Sequence, residues 1–311
     1  MILIQIGWLK DMSTFFKQIY RYTRPRAYRH NENIWPYVKI DRAVSGEISR
    51  IRYKGKIYPI EPLSLLQDSF CGSVLLTATG PSINSSDFSL VPSDLPVMGV
   101  NGAYCLHKQV SFSLYVIVDM SFFDTRSDII REIIQDKNVL LFIPVYGIMR
   151  IINEYNDVKC RIALIEDANY RIYQKKIDKA ETRSFYKDNP NICFYKDTQS
   201  VGFSKDIRNG IFEGATVVYW AFQILYFLGF EKILIAGLDM SNFHLPRFYE
   251  NEDNKQPSFL ETEVDRIIIP SFSHASQIFK DKNISVINLS IKSAIPDFIF
   301  DKVDFNEYFK R

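Results

Sequence analysis

From residue 73 onward, short and continuous apolar runs alternate with longer segments that read as helices or polar loops. Six runs read as strands: Ser73–Thr79, Pro96–Asn101, Ser113–Asp119, Asn138–Ile143, Lys232–Asp239 and Ile284–Leu289. None alternates polar with apolar, the pattern expected of strands covered by helices on both faces. Between them the spacing predicts helices over about Phe122–Gln135, Gly214–Gly229 and Glu261–Asp281. Ser121, three residues before Asp124, resembles a capping box for the first. The second is nearly all apolar, has Thr216 near its start and stops at Gly229. A helix joined by a Gly turn to a strand is half of a crossover unit, so the expected fold is a Rossmann-like α/β domain with a mostly parallel sheet.

Two regions resist this reading. Residues 150–205 mix Tyr, Lys, Asp and Asn without sustained periodicity and are expected to form a lid or insertion around the site. Residues 1–60 carry twelve Lys/Arg against four acids, a net +8 that leaves −6 for the remainder of a 311-residue chain whose overall charge is +2. Aromatic residues from Trp8 to Tyr37 are interleaved with this charge. Such a segment suits an anionic membrane surface, or else packs on its own domain or a neighbouring subunit. The expected organisation is a basic arm over 1–69, a catalytic domain over 70–295 and a tail over 296–311.

Composition narrows the function classes. With 24 Phe and 18 Tyr the chain has ample core material and is not disordered. No apolar run reaches the ~18–20 residues that span a bilayer, and Met1–Leu9 lacks the basic lead and cleavage site of a signal peptide. Four scattered Cys suggest neither a zinc site nor a disulfide framework. A cytoplasmic location is expected, and nothing accompanies the basic charge to suggest nucleic-acid binding.

Open α/β sheets bind ligands beyond the carboxyl ends of their strands. Those ends carry Thr79-Gly80-Pro81-Ser82, Asn101-Gly102, Asp119-Met120-Ser121 and Gly237-Leu238-Asp239-Met240-Ser241. Gly80-Pro81-Ser82 allows close approach of backbone to ligand, or simply a tight strand-to-helix turn. It is neither the dinucleotide fingerprint nor a P-loop, which disfavours a Rossmann oxidoreductase and P-loop ATP hydrolysis.

Thr-Gly-Pro-Ser after the first strand, Val-Asn closing the second, and Leu228-Gly-Phe-Glu-Lys-Ile-Leu-Ile-Ala-Gly-Leu-Asp239 together resemble the bacterial sialyltransferase fold, a GT-A variant that uses CMP-activated sugars. The words Val201-Gly-Phe-Ser-Lys-Asp206, Gly237-Leu-Asp239 and Arg247-Phe-Tyr249 look closer still to the lipopolysaccharide-core Kdo transferases, the WaaZ-like group. The resemblance covers roughly residues 70–295. It departs at Thr79, where sialyltransferases usually carry Asn.

The resemblance implies transfer of 3-deoxy-manno-octulosonic acid (Kdo) from CMP-Kdo to a lipopolysaccharide-core or related glycan, at the inner face of the membrane, without metal or cofactor. It implies Gly80, Pro81 and Ser82 as the nucleotide loop. Asn101 and Asp119 (with Ser121) would meet the cytidine and ribose, and Thr216 would lie beside the CMP. Arg247 and Tyr249 would stand over the leaving group. The sugar carboxylate would need a cation, for which Lys205, Arg183, Arg208 and Arg247 are the candidates. His274 would serve as the catalytic histidine, unless it is only a helix-face residue. Asp239 reads as either a nucleophile or a strand-end organiser, and Glu166 as an acceptor-side acid. The alternatives are a CMP-sialic acid sialyltransferase and a nucleotide-sugar-binding protein without catalysis. The related fold commonly assembles, so a homo-oligomer is possible.

Overall fold

The structure, a computed structural model, describes residues 14–241, 243–258 and 260–310. The apolar opening Met1–Leu9 and Lys10 lie outside the described residues. A helical segment over 14–23 is followed by three antiparallel strands, β1 (Val38–Arg42), β2 (Ile48–Tyr53) and β3 (Lys56–Tyr58). Part of the basic region therefore packs on its own domain. Ile34, Val38, Ile48, Ile51 and Tyr53 are buried in a core shared with the main sheet, while Arg24, Arg26, Arg29, Lys39, Arg50, Lys54 and Lys56 stay exposed.

The main sheet has eight strands in the order β13-β12-β11-β4-β5-β6-β7-β8, all parallel. They are β4 (Ser73–Thr77), β5 (Val97–Val100), β6 (Leu114–Val116), β7 (Leu140–Ile143), β8 (Arg161–Leu164), β11 (Lys232–Ala236), β12 (Ser285–Asn288) and β13 (Asp301–Lys302). Between β8 and β11 lies a small antiparallel hairpin of β9 (Ile192–Phe194) and β10 (Gly202–Ser204). All six strands expected from the sequence are present, each shorter, β6 most of all. Alternate residues face separate cores. Val74, Leu76, Ile233 and Ile235 point to one, and Leu75, Leu234 and Ala236 to the other, so both sheet faces are covered as the unbroken apolar runs require.

The chain builds outward from β4 in one direction through β8, then returns to β4's other side for β11, β12 and β13. The topological switch point therefore falls between β4 and β11, where open α/β sheets leave a crevice beyond their carboxyl ends.

The Val217–Leu228 helix packs across the middle of one face with ten of its twelve residues buried. Thr216 caps it by accepting the Val218 N–H, and Gly229 ends it at φ 99°, a left-handed conformation suited to glycine. Gln223, the polar residue in its middle, is fully buried. Its Oε1 accepts the Ser204 and Phe212 N–H groups, and its Nε2 donates to the Phe212 and Tyr219 carbonyls. One side chain thus ties the helix to β10 and to the loop before the helix.

Three expectations need correcting. The helix after β6 starts at Met120, capped by Asp119 and not by Ser121, and it breaks at Arg126 into Met120–Thr125 and Ser127–Gln135. Residues 150–205 are not all lid: the Val145–Glu154 helix reaches into them and β8 adds a strand to the sheet. The expected 261–281 helix starts at Leu260 and opens into a wider π-helical turn over Val264–Ile268 before Ile269–Asp281.

Candidate active site

The loops after β4, β5, β6 and β11 converge on one cleft of about 460 Å³ at the switch point. Thr79, Gly80, Pro81, Asn101, Asp119, Thr216, Asp239 and Arg247 all line it. Eight positions drawn from six chain segments thus meet in one place.

Asp239 organises the first loop. Its Oδ1 accepts the Ser82 hydroxyl at 2.5 Å and its Oδ2 accepts the Ser82 N–H at 2.8 Å. Ser82 Oγ also lies 2.9 Å from Ser290 Oγ, and the Gly80 N–H donates to the Gly237 carbonyl. A Cβ on Gly80 would sit 2.5 Å from Asp239 Oδ2, so only glycine lets the two loops close this tightly. Ser82 therefore holds the loop from behind.

Asn101 adopts φ 46° at the end of β5, held by the Tyr115 hydroxyl, which donates to its carbonyl at 2.6 Å. Its Oδ1 is buried without a hydrogen-bond partner, leaving an acceptor at the cleft wall. Asp119 spends its Oδ1 on the Ser121 N–H and hydroxyl and on the Phe122 N–H. Ser121 acts through that cap.

On the opposite wall, Arg247 is the one cation lining the cleft among the described residues. Its Nη1 donates to Glu250 Oε1 at 2.7 Å and its N–H to Oε2 at 3.0 Å. Tyr249 sits behind it. Its ring lies against Gly102, where a Cβ would approach to 2.2 Å, and under the Arg126 guanidinium at 5.0 Å. Burial pushes the Tyr249 phenol up to about 12, so it stays protonated. The N-terminus of the Val217–Leu228 helix adds a second positive feature, because its dipole favours an anion.

Other expected residues are not brought to this cleft. His274 is buried on the Ile269–Asp281 helix beside Tyr195 and Phe203, at ring distances of 5.8 and 6.4 Å. It bonds to the Cys193 backbone, burial lowers its pKa, and its Nε2 has no partner. Lys205 follows β10 on that same side, near His274 and Tyr226. Arg208 forms a two-point pair with Asp206 at 2.8 and 2.7 Å, and Arg183 donates to the Lys196 and Thr198 carbonyls. Glu166 is a structural hub. It takes Arg42 of β1 at 2.5 and 2.7 Å, the Ile172 N–H at 2.8 Å and Arg171 at 3.5 Å. Removing one partner from such a buried network is costly.

Sequence reasoning missed Glu213, Glu250 and Glu263, all of which line the cleft. Glu213 had a legible signal, standing immediately before the Gly-Ala-Thr that opens the apolar helix.

A parallel α/β sheet with its cleft at the switch point, a glycine-built loop and an anion-favouring helix start is the arrangement in which open α/β sheets bind ligands. The family model described as 3-deoxy-D-manno-octulosonic acid transferase WaaZ matches residues 61–305, and the chain belongs to that family. Two curated relatives, each described as a probable 3-deoxy-manno-octulosonic acid transferase, come from Escherichia coli (strain K12) and Salmonella typhimurium (strain LT2). They are 26% and 27% identical over 75% of this chain, covering 82% and 87% of their own lengths. Among solved structures, the sialyltransferase CstII from Campylobacter jejuni, in complex with a substrate analogue, cytidine-5'-monophosphate, matches at 16% identity and TM-score 0.43, over 75% of this chain and 86% of that one. The monofunctional alpha-2,3-sialyltransferase Cst-I from Campylobacter jejuni matches at 13% identity and TM-score 0.39, over 80% and 84%. The chain is a glycosyltransferase of the Kdo-transferase family.

Proposed function

We propose that this enzyme transfers Kdo from CMP-Kdo to a lipopolysaccharide-core or related surface glycan. The observation that carries the reading is the convergence of four strand-end loops on a single cleft in a chain of the Kdo-transferase family.

CMP is a good leaving group, so its departure needs charge stabilisation more than a strong acid. Arg247, steadied by Glu250, and the N-terminus of the Val217–Leu228 helix supply that charge. Asn101, with its unpartnered Oδ1, and Asp119 offer acceptors for the cytidine and ribose. Gly80 and Pro81 let the backbone approach the phosphate. Asp239 serves as organiser of that loop, since Ser82 occupies both of its oxygens. Of the four candidate cations for the sugar carboxylate, Arg247 alone lines the cleft. No metal or cofactor is needed for this chemistry.

Among the described residues no helix is long and apolar enough to cross a membrane. The exposed cations of the amino-terminal region, together with Phe15, Tyr22 and Ile57 at 59, 90 and 58% exposure, support docking at an anionic membrane surface where lipid-linked acceptors reside. The reading is tested by product analysis with CMP-Kdo and a truncated core oligosaccharide, in parallel with CMP-sialic acid. Kdo-extended product from CMP-Kdo is expected. Product from CMP-sialic acid alone would replace Kdo with sialic acid as the transferred sugar.

A further inference from the structure

A second cavity of about 280 Å³ adjoins the cleft, sharing Glu213, Ala215 and Glu263 with it as a common wall. Its other side is built by the excursion between β8 and the Val217–Leu228 helix, and by the wide turn over Val264–Ile268. π-helical turns of this kind recur at functional sites. At about 280 Å³ it is small among ligand pockets, which run ~300–1,000 Å³, and suits a single sugar unit.

Its lining is polar and poised to bind. Ser271, 1% exposed, presents a hydroxyl with no hydrogen-bond partner. A buried hydroxyl left unpaired costs stability unless a ligand completes it. Lys179 and Asn169 line the same cavity, and Tyr219 forms an aromatic wall.

Glu213 stands where the two cavities meet, and its side chain is 52% exposed. It shares a side-chain hydrogen bond with the buried Asp167, which a backbone bridge from Asp167 to Ile211 holds in register. Burial first, and the negative charge of Glu213 second, push the Asp167 carboxyl up. Lys179 Nζ lies 3.7 Å from Glu213 Oε2. Glu263, the other acid on the shared wall, is instead bound to Arg266 at 2.5 and 2.7 Å.

We infer that the second cavity is the acceptor subsite, binding a hydroxylated sugar unit, and that Glu213 is the general base of the transfer. The inference rests on the transferase reading above. In the step, the acceptor oxygen bonds to the anomeric carbon of Kdo, and its proton passes to Glu213. The bond from that carbon to the phosphate oxygen breaks, and its electron pair leaves with CMP.

The test uses the full chain, CMP-Kdo as donor and a truncated core oligosaccharide as acceptor probe, with oligosaccharide binding also measured directly by ligand-observed NMR. Glu213→Gln is expected to lower kcat a hundredfold or more, the size of a lost general base, with a much smaller change in acceptor KM. Ser271→Ala is expected to weaken oligosaccharide binding several-fold while its melting temperature stays at or above that of the parent. Near-parental kcat in Glu213→Gln overturns the base assignment. Unchanged oligosaccharide affinity in Ser271→Ala overturns the subsite. Failure of the parent protein to use CMP-Kdo strikes the donor reading instead, and the NMR measurement still decides the subsite.

Discussion

The Ser82 hydroxyl and backbone N–H both donate to the carboxylate of Asp239, at 2.5 and 2.8 Å, across 157 residues of sequence. This two-point clasp joins the loops of the two strands that flank the switch point. In the proposed reading it makes Asp239 the organiser of the cleft, since a carboxylate held by two donors is a poor nucleophile. Asp239→Asn can keep two contacts, the amide oxygen accepting the N–H and the amide nitrogen donating to the hydroxyl. It is expected to retain substantial CMP affinity and turnover. Asp239→Ala frees the loop and is expected to weaken CMP binding at least tenfold, as two charge-assisted hydrogen bonds of ~1.5–3 kcal/mol each are lost. Intact-protein mass spectrometry after mixing with CMP-Kdo is expected to show no sugar adduct, and an adduct on Asp239 would contradict the organiser role.

Gly102 and Tyr249 make a second dependency. A methyl group at 102 meets the Tyr249 ring at 2.2 Å, and the ring carries the segment that positions Arg247. Gly102→Ala is expected to destabilise the fold by about 1–3 kcal/mol, the usual range for overpacking, and to raise the donor KM. Adding Tyr249→Ala relieves the clash, so the double variant is expected to regain stability in a thermal melt but not donor affinity.

Gln223 is the internal clamp. Replacing it with Leu removes four hydrogen bonds and leaves the buried N–H groups of Ser204 and Phe212 unpaired. At ~1–3 kcal/mol for each unsatisfied group, chemical denaturation is expected to show a loss of several kcal/mol. A loss below about 1 kcal/mol would mean the loop before the helix does not depend on it.

His274 predicts a pH effect on stability, not on chemistry. Burial lowers its folded pKa below the usual value near 6.5, so below that pH the unfolded chain binds a proton that the folded chain does not. Stability contributed by the neutral form is present above pH 6.5 and falls as the pH drops. His274→Gln is expected to flatten the decline in melting temperature between pH 7 and 5 relative to the parent, with little change in kcat at pH 7.5. A loss of turnover like that of Glu213→Gln would return His274 to the reaction.

Much of this was legible in the sequence. The β4, β5, β6, β7, β11 and β12 strands are unbroken apolar runs, and the loops that follow β4, β5, β6 and β11 carry the small and polar residues that meet in the cleft. Thr216 and Gly229 bound their helix as their cap chemistry requires. His274 shows where such reading stops. Its distance along the chain from Asp239 suited a catalytic role, but the face of a helix that turns toward a site depends on packing. Here that face turns toward Phe203 and Tyr195. Edge strand β8 opens on the exposed Arg161 inside a stretch of mixed composition, and β13 is the polar pair Asp301-Lys302, so neither stands out as an apolar run. Glu213 and Asp167 carry meaning only as neighbours, and their pairing is set by tertiary contacts between 165–172 and 207–213.

The most direct measurement is a calorimetric titration of the full chain with CMP, paired with hydrogen exchange across the cleft loops. Saturable one-to-one binding is expected, with protection at 79–82, 101–102, 119–121 and 237–241, and marked weakening in Arg247→Ala. A chain that ignores cytidine nucleotides, or binds them without protecting those four loops, would contradict the donor site.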